Sequence, residues 1–384
     1  MSVARFAGVE PFGIEAVAAA AGTDPDVLRM ENLDTDLAPP SAAVAATREA
    51  VGRDDANSYL PFTGLTVLRE AVARRLTDQT GRTYDPTTEV VISSGGLAGI
   101  LSALLATVDS GDEVVVTDPT YAGLLQRIRL VGAVPRQVPS VVVDGRWRLD
   151  TDELARVVTP RTRALLLMSP TMPSGLLLTE EEWHSVAQAC DRVGAWLIYD
   201  AAMENIRYDG HPYRHPAQLA PLTERTITVG SAAKEFRMIG WRVGWVVAPR
   251  GILADIAQAV IYNTVVPSGF AQLGVAAALT DPAAGVAEAV AEWQRRRDTV
   301  LAQLDGLPVV TPDGGWSALL DASACGFSAA ELSQRLLTAG RVAATPMTTW
   351  GERVAPRYVR LVFSNEPVSR LEGLRDRVLA ALSG

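Results

Sequence analysis

The stretch "RTITVGSAAKEFRMIGWRVGWVV", residues 225–247, is the segment most informative about the fold. It contains two strand-like runs, and between them lies a segment of small residues that carries Lys234 and, eight residues later, Arg242. In open α/β sheets, ligands bind where strands end. The stretch therefore predicts that Lys234 and Arg242 lie near the ends of strands in such a sheet, close to a binding site.

The same arrangement recurs between about residues 50 and 285. Strand-like runs alternate there with helical stretches, and the clearest are "TEVVISSGG" (88–96), "DEVVVTDPTY" (112–121), "RALLLMSPTMPSG" (163–175) and "AWLIYDAAM" (195–203). Short apolar runs without polar alternation indicate strands that are buried on both faces. The pattern predicts an α/β fold with a mostly parallel sheet between helices.

The chain beyond residue 285 has a different pattern. A long helical segment leads into short strands, a helix at 329–339 and a terminal helix, which indicates a smaller α+β domain. We predict an N-terminal arm and linker at 1–40, a large domain at 41–285 and a small C-terminal domain at 286–384 that part of the arm joins.

Composition excludes several classes of function. The 384 residues are 48% hydrophobic and 21% charged, which suits a folded chain with a sizeable core. A net charge of −9 argues against nucleic-acid partners, and three scattered histidines give no metal-binding spacing. Two cysteines indicate a reducing compartment, for which we expect the cytoplasm, and the apolar segments are too short or too interrupted to span a membrane.

Residues suited to ligand binding follow the predicted strands. Gly96 and Leu97 open a helix, where free backbone amides can bind a phosphate. Tyr121, Asp200 and Lys234 each stand at or just after the end of another strand. Because parallel strands end at the same edge of a sheet, we expect these residues to meet at one site.

The order of these features resembles the class I/II aminotransferase family, whose members are fold-type-I pyridoxal phosphate enzymes. The segment "SAAKEFRMIGWRVG" is similar to the family's S-x-[SA]-K…G-[WF]-R-[LIV]-G, and the resemblance extends from about residue 30 to the C-terminus. It implies an enzyme that uses pyridoxal 5′-phosphate to act on the α-carbon of an L-amino acid, through a Schiff base on Lys234 and a quinonoid intermediate.

The resemblance also implies roles for the residues at the cofactor. Lys234 would form the Schiff base and move the α-proton, and Asp200 would pair with the pyridine nitrogen. Tyr121 would stack on the cofactor ring. The phosphate would be held by Ser231, Arg242 and the amides of Gly96 and Leu97.

Three further residues are implied to complete the site. Tyr59 lies in "NSYLPFTGLTVLREAV", which is similar to the family stretch whose tyrosine reaches the phosphate of the neighbouring subunit; this implies a homodimer with shared active sites. Arg360, in "RYVRLVFS", would bind the α-carboxylate of the substrate through two bonds. Trp316, in "GGWSAL", is a candidate substrate contact or a core residue.

Two positions depart from the family pattern. The family loop N-P-x-N-P-[TS]-G is "SPTMPSG" here, so Met172 replaces an asparagine, and "DAAM" places Met203 where the family has a tyrosine. Both replaced side chains bond the 3-oxygen of the cofactor, and a thioether cannot donate a hydrogen bond. Thr171, Glu204 or Asn205 could compensate, and the methionines could also form an apolar wall suited to a bulky or sulfur-bearing substrate.

The departures leave two functions open. One is an aminotransferase that moves an α-amino group between an amino acid and a 2-oxo acid. The other is a lyase, replacement or cyclisation enzyme of specialised metabolism on the same scaffold, acting for example on S-adenosylmethionine or arginine. A non-enzymatic scaffold is disfavoured because Asp200, Lys234, Arg242 and Arg360 are all present.

Overall fold

The computed structural model describes residue 6, residues 8–10 and residues 13–383. Its first elements are the helix α1 (Gly13–Ala21), the short strand β1 (Leu28–Arg29), and the helices α2 (Ser41–Val51), α3 (Asp54–Asn57) and α4 (Thr66–Thr80). Helix α1 lies in the predicted N-terminal arm, for which the sequence pattern predicted no helix.

Eight of the described strands form the central sheet. They are β2 (Val90–Ser93), β3 (Glu113–Asp118), β4 (Val134–Val143), β5 (Arg146–Leu149), β6 (Thr162–Met168), β7 (Trp196–Asp200), β8 (Thr226–Ser231) and β9 (Gly244–Val247). Their order across the sheet is β2-β9-β8-β7-β6-β3-β4-β5. The pairs from β8 to β4 are parallel, whereas β9 is antiparallel to both its neighbours and β5 is antiparallel to β4.

Helices cover both faces of this sheet. They are α5 (Gly96–Thr107), α6 (Ala122–Leu130), α7 (Thr151–Val157), α8 (Glu180–Val193), α9 (Arg250–Thr264) and α10 (Gly269–Thr280). The residues of β2, β3, β8 and β9 are all buried, as apolar strands between two helical layers must be. The mostly parallel sheet confirms the predicted fold class.

Helix α8 shows why these segments form helices. Thr179 accepts a bond from the Glu182 amide, while the Glu182 carboxylate accepts one from the Thr179 amide, so two end groups of the helix are satisfied. The helix ends at Gly194, which adopts the left-handed conformation.

A second, smaller sheet lies in the C-terminal part of the chain. The strands β10 (Val309–Val310), β11 (Ser317–Asp321), β13 (Thr345–Pro346) and β14 (Tyr358–Val362) form an antiparallel sheet in the order β10-β11-β14-β13. The helices here are α11 (Val286–Gln303), α12 (Ala329–Thr338), α13 (Val368–Leu371) and α14 (Leu374–Ser383).

The N-terminal segment is attached to this smaller part. Strand β1 pairs in parallel with β12 (Val342–Ala343), and the carbonyl of Met30 accepts a bond from the amide of Val362. The segment then continues to the large sheet, where the carbonyl of Ala38 accepts a bond from Arg237. Residues 28–38 therefore cross from one sheet to the other.

Candidate active site

A cavity of about 230 Å³ lies at the carboxyl ends of the central strands. Met168, Asp200 and Ser231 are the last residues of β6, β7 and β8, three neighbouring parallel strands, and all three line the cavity. The other lining residues are Ile14, Asn32, Leu33, Gly96, Leu97, Tyr121, Met172, Ala202, Met203, Ala233, Lys234, Ile239 and Arg242. Nine of the predicted site residues therefore meet at one place.

Lys234 follows strand β8 and is the only lysine in the sequence. Its Nζ donates a hydrogen bond to the carbonyl of Leu33 at 3.0 Å and lies 5.0 Å from the centre of the Trp316 ring. Burial lowers the pKa of this amine to about 8, and the nearby guanidinium groups of Arg360 and Arg242 act in the same direction. Near neutral pH a usable fraction of the amine is therefore unprotonated, as a nucleophile or base requires.

Asp200 is buried at the end of β7 and accepts a hydrogen bond from the amide of Ala202 at 3.1 Å. Burial raises the pKa of its carboxyl to about 6, although the Ala202 bond and the charges of Lys234 and Arg127 act against that shift. A buried carboxylate that faces a cavity can hold a proton on a ring nitrogen of a ligand.

The first turn of α5 is suited to an anion. Gly95, at the N-cap position with φ +86°, leaves the helix without a side-chain cap, so its first amides remain available. A Cβ at Gly95 would lie 2.7 Å from Nη2 of Arg242, and one at Gly244 would lie 2.6 Å from the amide nitrogen of Gly96. The absence of side chains therefore lets Arg242 and these amides approach one another.

Arg242 and Ser231 lie on the same side as these amides. The Arg242 guanidinium donates one bond, to the carbonyl of Ile239 at 3.0 Å, and its side chain is exposed. Ser231 Oγ accepts a bond from the amide of Ala233. A guanidinium, a hydroxyl and free helix amides together form a donor set suited to a phosphate.

Tyr121 also lines the cavity. It packs edge-on against Trp350, with ring centres 5.6 Å apart, and burial raises the pKa of its hydroxyl. The position of Trp350 depends on Asp118, because the Asp118 carboxylate accepts bonds from the amides of Glu352, Arg353, Val354 and Ala355. Asp118 thus fixes the loop that follows Trp350.

Met172 and Met203 both line the cavity and are buried. None of the polar residues considered as compensation lines it. Thr171 Oγ1 pairs with Ser174 Oγ, Asn205 donates to Glu235 at 2.8 Å, and Glu204 accepts from Tyr213 and Gln79. The wall formed by Met168, Met172 and Met203 therefore offers no hydrogen-bond donor from its side chains.

Arg360 is fully buried behind this wall. Its guanidinium bonds the carbonyl of Glu31, Oγ1 of Thr345 at 3.3 Å and Sδ of Met172 at 4.0 Å, while Nε has no partner. It stacks 4.6 Å from the centre of the Trp350 ring, and burial lowers its pKa to about 10. No carboxylate in the described part of the chain pairs with this buried cation, which favours the approach of an anion.

Besides Arg360, two predicted residues lie outside the cavity wall. Trp316 is buried beneath Lys234 and does not line the cavity. Tyr59 is 92% exposed, in the turn before α4.

Sequence patterns did not single out Ile14, Asn32 and Leu33, since none lies at a strand end or in a recognised motif, and Ile239 lies within the Lys234 motif but at a position without an assigned role. The sequence carries one further signal. Lys234 is its only lysine, so a reaction that needs a lysine amine must use this residue.

No helix among the described residues is long and apolar enough to cross a membrane. The same part of the chain contains no cluster of histidine, cysteine and carboxylate side chains that could hold a metal ion.

Comparisons with known proteins agree with this geometry. The family model "Aminotransferase class I and II" matches residues 27–378. A probable aspartate/prephenate aminotransferase of Thermus aquaticus is 34% identical over 92% of this chain and 88% of its own length. Aromatic-amino-acid aminotransferase 2 of Thermococcus litoralis is 32% identical over 83% of this chain and 82% of its own.

Solved structures give the same result. N-succinyldiaminopimelate aminotransferase from Mycobacterium tuberculosis superposes with a TM-score of 0.93 at 30% identity, over 100% of both chains. Aspartate aminotransferase from Thermus thermophilus with maleate has a TM-score of 0.91 at 29% identity, over 100% of this chain and 99% of the other. The relatives do not favour the lyase alternative; this chain belongs to the class I and II aminotransferase family and is an aminotransferase-like enzyme.

Proposed function

We propose that this enzyme transfers the α-amino group of an amino acid to a 2-oxo acid with pyridoxal 5′-phosphate as cofactor. The observation that carries the proposal is the meeting of an amine with a lowered pKa, a buried carboxylate and an anion-binding helix end around one cavity. The names of the relatives, all aminotransferases or transaminases, support the reaction.

The residues present fit this cofactor. Gly95 and Gly244 leave room for a phosphate beside Arg242, because a Cβ at either position would meet the guanidinium or the Gly96 amide. Asp200 offers a buried acceptor for a protonated pyridine nitrogen. Leu97, Ser231 and Tyr121 would complete the contacts to the phosphate and the ring.

When bound, pyridoxal phosphate supplies an aldehyde that condenses with amines and a protonated ring that accepts the electron pair released from the α-carbon. Lys234 Nζ would anchor the cofactor, be displaced by the substrate amine, and then carry the proton between the α-carbon and the cofactor. Asp200 would hold the ring nitrogen proton. Arg360 would bind the α-carboxylate, which requires Met172 Sδ to give up its contact with Nη1.

The enzyme is proposed to be a homodimer with shared sites. The support is exposed apolar surface: Tyr59 and Tyr262 are 92% and 86% exposed, and Phe62 and Val67 are half-exposed. A Tyr59 side chain that reaches the phosphate of the second copy would bury such a surface.

The division at residues 40 and 285 and the cytoplasmic location also remain proposals. The first is supported by the two separate sheets and by the pairing of β1 with β12, which joins the arm to the smaller part. The second is supported by the two unpaired cysteines, Cys190 and Cys325.

The single lysine makes the test direct. Protein loaded with pyridoxal phosphate and reduced with borohydride should gain the mass of one cofactor on the peptide that contains Lys234. The Lys234→Arg variant, which keeps the charge but has no lysine, should gain none there and should lose at least about 1,000-fold in amino transfer. Reduction that labels only the N-terminal amine of wild type, or a fully active arginine variant, would refute the proposal.

The reaction type has its own readout. Addition of an amino acid should convert the bound cofactor to its amine form, seen as absorbance that moves to shorter wavelength, and a 2-oxo acid should restore it. Release of a side-chain fragment without accumulation of the amine form would instead indicate lyase or replacement chemistry.

A further inference from the structure

The contacts of Lys234 locate the side chain of the substrate. Nζ of Lys234 lies 3.0 Å from the carbonyl oxygen of Leu33, so the backbone of Leu33 touches the amine that the proposed function places at the α-carbon. An amino acid that reacts there must carry its side chain past Leu33. The residues that share this wall therefore decide which side chains fit.

That wall is apolar. Ile14 from α1, Leu33, and Ile239 from the short 3₁₀ helix Ile239–Trp241 line the cavity, and all three pack with one side against the main core. Their other side is partly exposed to the cavity. Met168, Met172 and Met203 extend the apolar surface, and a methionine side chain adapts its shape to the group it contacts.

Charge supports the same conclusion. Among the described residues that line the cavity, the charged side chains are Asp200, Lys234 and Arg242. The proposed function assigns all three to the cofactor and the α-carbon, so none remains to pair with a charge on the substrate side chain. Asp34, whose charge raises the pKa of Lys234, adds negative potential beside that amine and would repel a second carboxylate.

We propose that Ile14, Leu33 and Ile239 form the side-chain subsite and that the enzyme prefers amino acids with an uncharged, apolar side chain. This inference rests on the proposed function. It predicts that aspartate, glutamate and arginine are poor substrates, because each would place an unpaired charge against this apolar wall. Asn32, an exposed amide at the rim, tolerates a neutral polar group but supplies no charge.

The first test compares substrates and unreactive ligands. KM should fall about fourfold for each methylene from 2-aminobutyrate through norvaline to norleucine. Glutamate and arginine should have kcat/KM at least about 100-fold below that of norleucine. In calorimetry, which does not depend on turnover, 4-methylpentanoate should bind the loaded enzyme more tightly than glutarate.

The second test inverts the preference with a matched control. Ile14→Lys should strengthen glutarate binding about tenfold and weaken 4-methylpentanoate, because it places a cation on the wall. Ala19→Lys puts the same charge on the exposed face of the same helix and should change neither affinity. Melting curves of both variants report whether α1 remains folded, and equal responses of the two variants would contradict the assignment of Ile14.

The outcomes separate the two proposals. If no amino acid converts the bound cofactor, the proposed function fails. If amino acids react but glutamate or aspartate is preferred, or glutarate binds more tightly than 4-methylpentanoate, the apolar subsite is wrong and a cation from a second copy of the chain must reach the cavity. Preference for arginine would overturn it equally, in favour of a contact with Asp34.

Discussion

The two ends of the cavity differ in the chemistry of the groups that line them. At the helix end, Arg242, Ser231 and the first amides of α5 present donors whose positions follow from strand ends and glycines. At the opposite end, Met172 and Met203 present sulfur and methyl groups, and the cation behind them, Arg360, is fully buried. The helix end is suited to an anion at a fixed position. The end formed by Met172 and Met203 presents an apolar surface that can adapt its shape.

The difference indicates which end is free to change. A phosphate needs several donors at fixed distances, so each substitution at the helix end would lose a charge-assisted bond. The methionine wall faces the part of the ligand where a family member can vary its substrate or tune its cofactor. Variants that alter one end and leave the other unchanged test this division.

After that of Lys234, the largest effect is expected at Asp200, between the two ends. Asp200→Asn should reduce kcat by roughly 100- to 1,000-fold, because the amide cannot hold the ring nitrogen proton. In single-turnover experiments, cofactor binding should weaken far less than the rate. A variant that lost cofactor affinity and rate together would show that Asp200 acts with the residues of the helix end, which hold the cofactor.

The same variant carries a stability prediction. Burial raises the pKa of the Asp200 carboxyl from 3.8 to about 6, so the folded protein binds this proton more tightly than the unfolded chain does. Stability is therefore lost as pH rises from about 4 to 6, by on the order of 3 kcal/mol. Without cofactor, Asp200→Asn should melt at a higher temperature than wild type at pH 7.5 and at a similar temperature at pH 4; the reverse order would contradict the assigned pKa.

The next effect tests the buried cation behind the methionine wall. Arg360→Met should raise KM for the amino acid about 100-fold, through the loss of a two-point contact worth about 3 kcal/mol, while cofactor affinity stays unchanged. Arg357→Met removes an exposed arginine three residues away, whose partner is Asp321, and serves as the control. Equal changes in both variants would place the α-carboxylate elsewhere.

A smaller effect is expected at Asp118, whose carboxylate fixes the loop that follows Trp350. Asp118→Ala removes an acceptor from four consecutive backbone amides, of which that of Glu352 keeps Gln137 Oε1 at 3.0 Å; the free energy of unfolding should fall by about 3 kcal/mol. Because Trp350 shields Arg360, KM should rise several-fold while kcat changes little. Asp118→Asn keeps one oxygen and should recover part of both losses; an unchanged KM in a folded alanine variant would limit Asp118 to a structural role.

The smallest effect is expected at the methionine wall itself. When the bound cofactor is titrated and followed by its absorbance, Met203→Tyr should give a pKa about one unit lower than wild type. The reason is that a phenol donates to the 3-oxygen and stabilises its charge. Met168→Leu changes the same wall without a donor and should leave the titration unchanged. Identical titrations of Met203→Tyr and wild type would show that this wall does not face the 3-oxygen.

The sequence predicted that the residues at the helix end of the cavity meet there, because they stand at or near strand ends. Lys234, Asp200, Ser231 and Arg242 lie at or near the ends of buried strands, and the topology of a parallel sheet brings such positions together. The departures at Met172 and Met203 were also visible, and the structure places both side chains in the cavity.

The sequence could not predict the part of the cavity that the arm supplies. Helix α1 and residues 31–34 have no strong periodicity or turn signal, and their positions depend on distant contacts such as the pairing of β1 with β12. For the same reason the sequence leaves Trp316 open between a substrate contact and a core residue, and its burial beneath Lys234 follows only from the three-dimensional structure. Long-range packing, not local propensity, decides these positions.

Residues 31–34 contact the site and the smaller sheet through their main-chain oxygens. Lys234 and Arg360 donate to the carbonyl oxygens of Leu33 and Glu31, and Ser364 donates to that of Asp34. Main-chain oxygens are the same for every amino acid, so an alanine scan of these three positions leaves all three acceptors in place. Replacing one peptide bond by an ester, or deleting one residue to shift the register, would expose a dependence that side-chain mutagenesis is unable to detect.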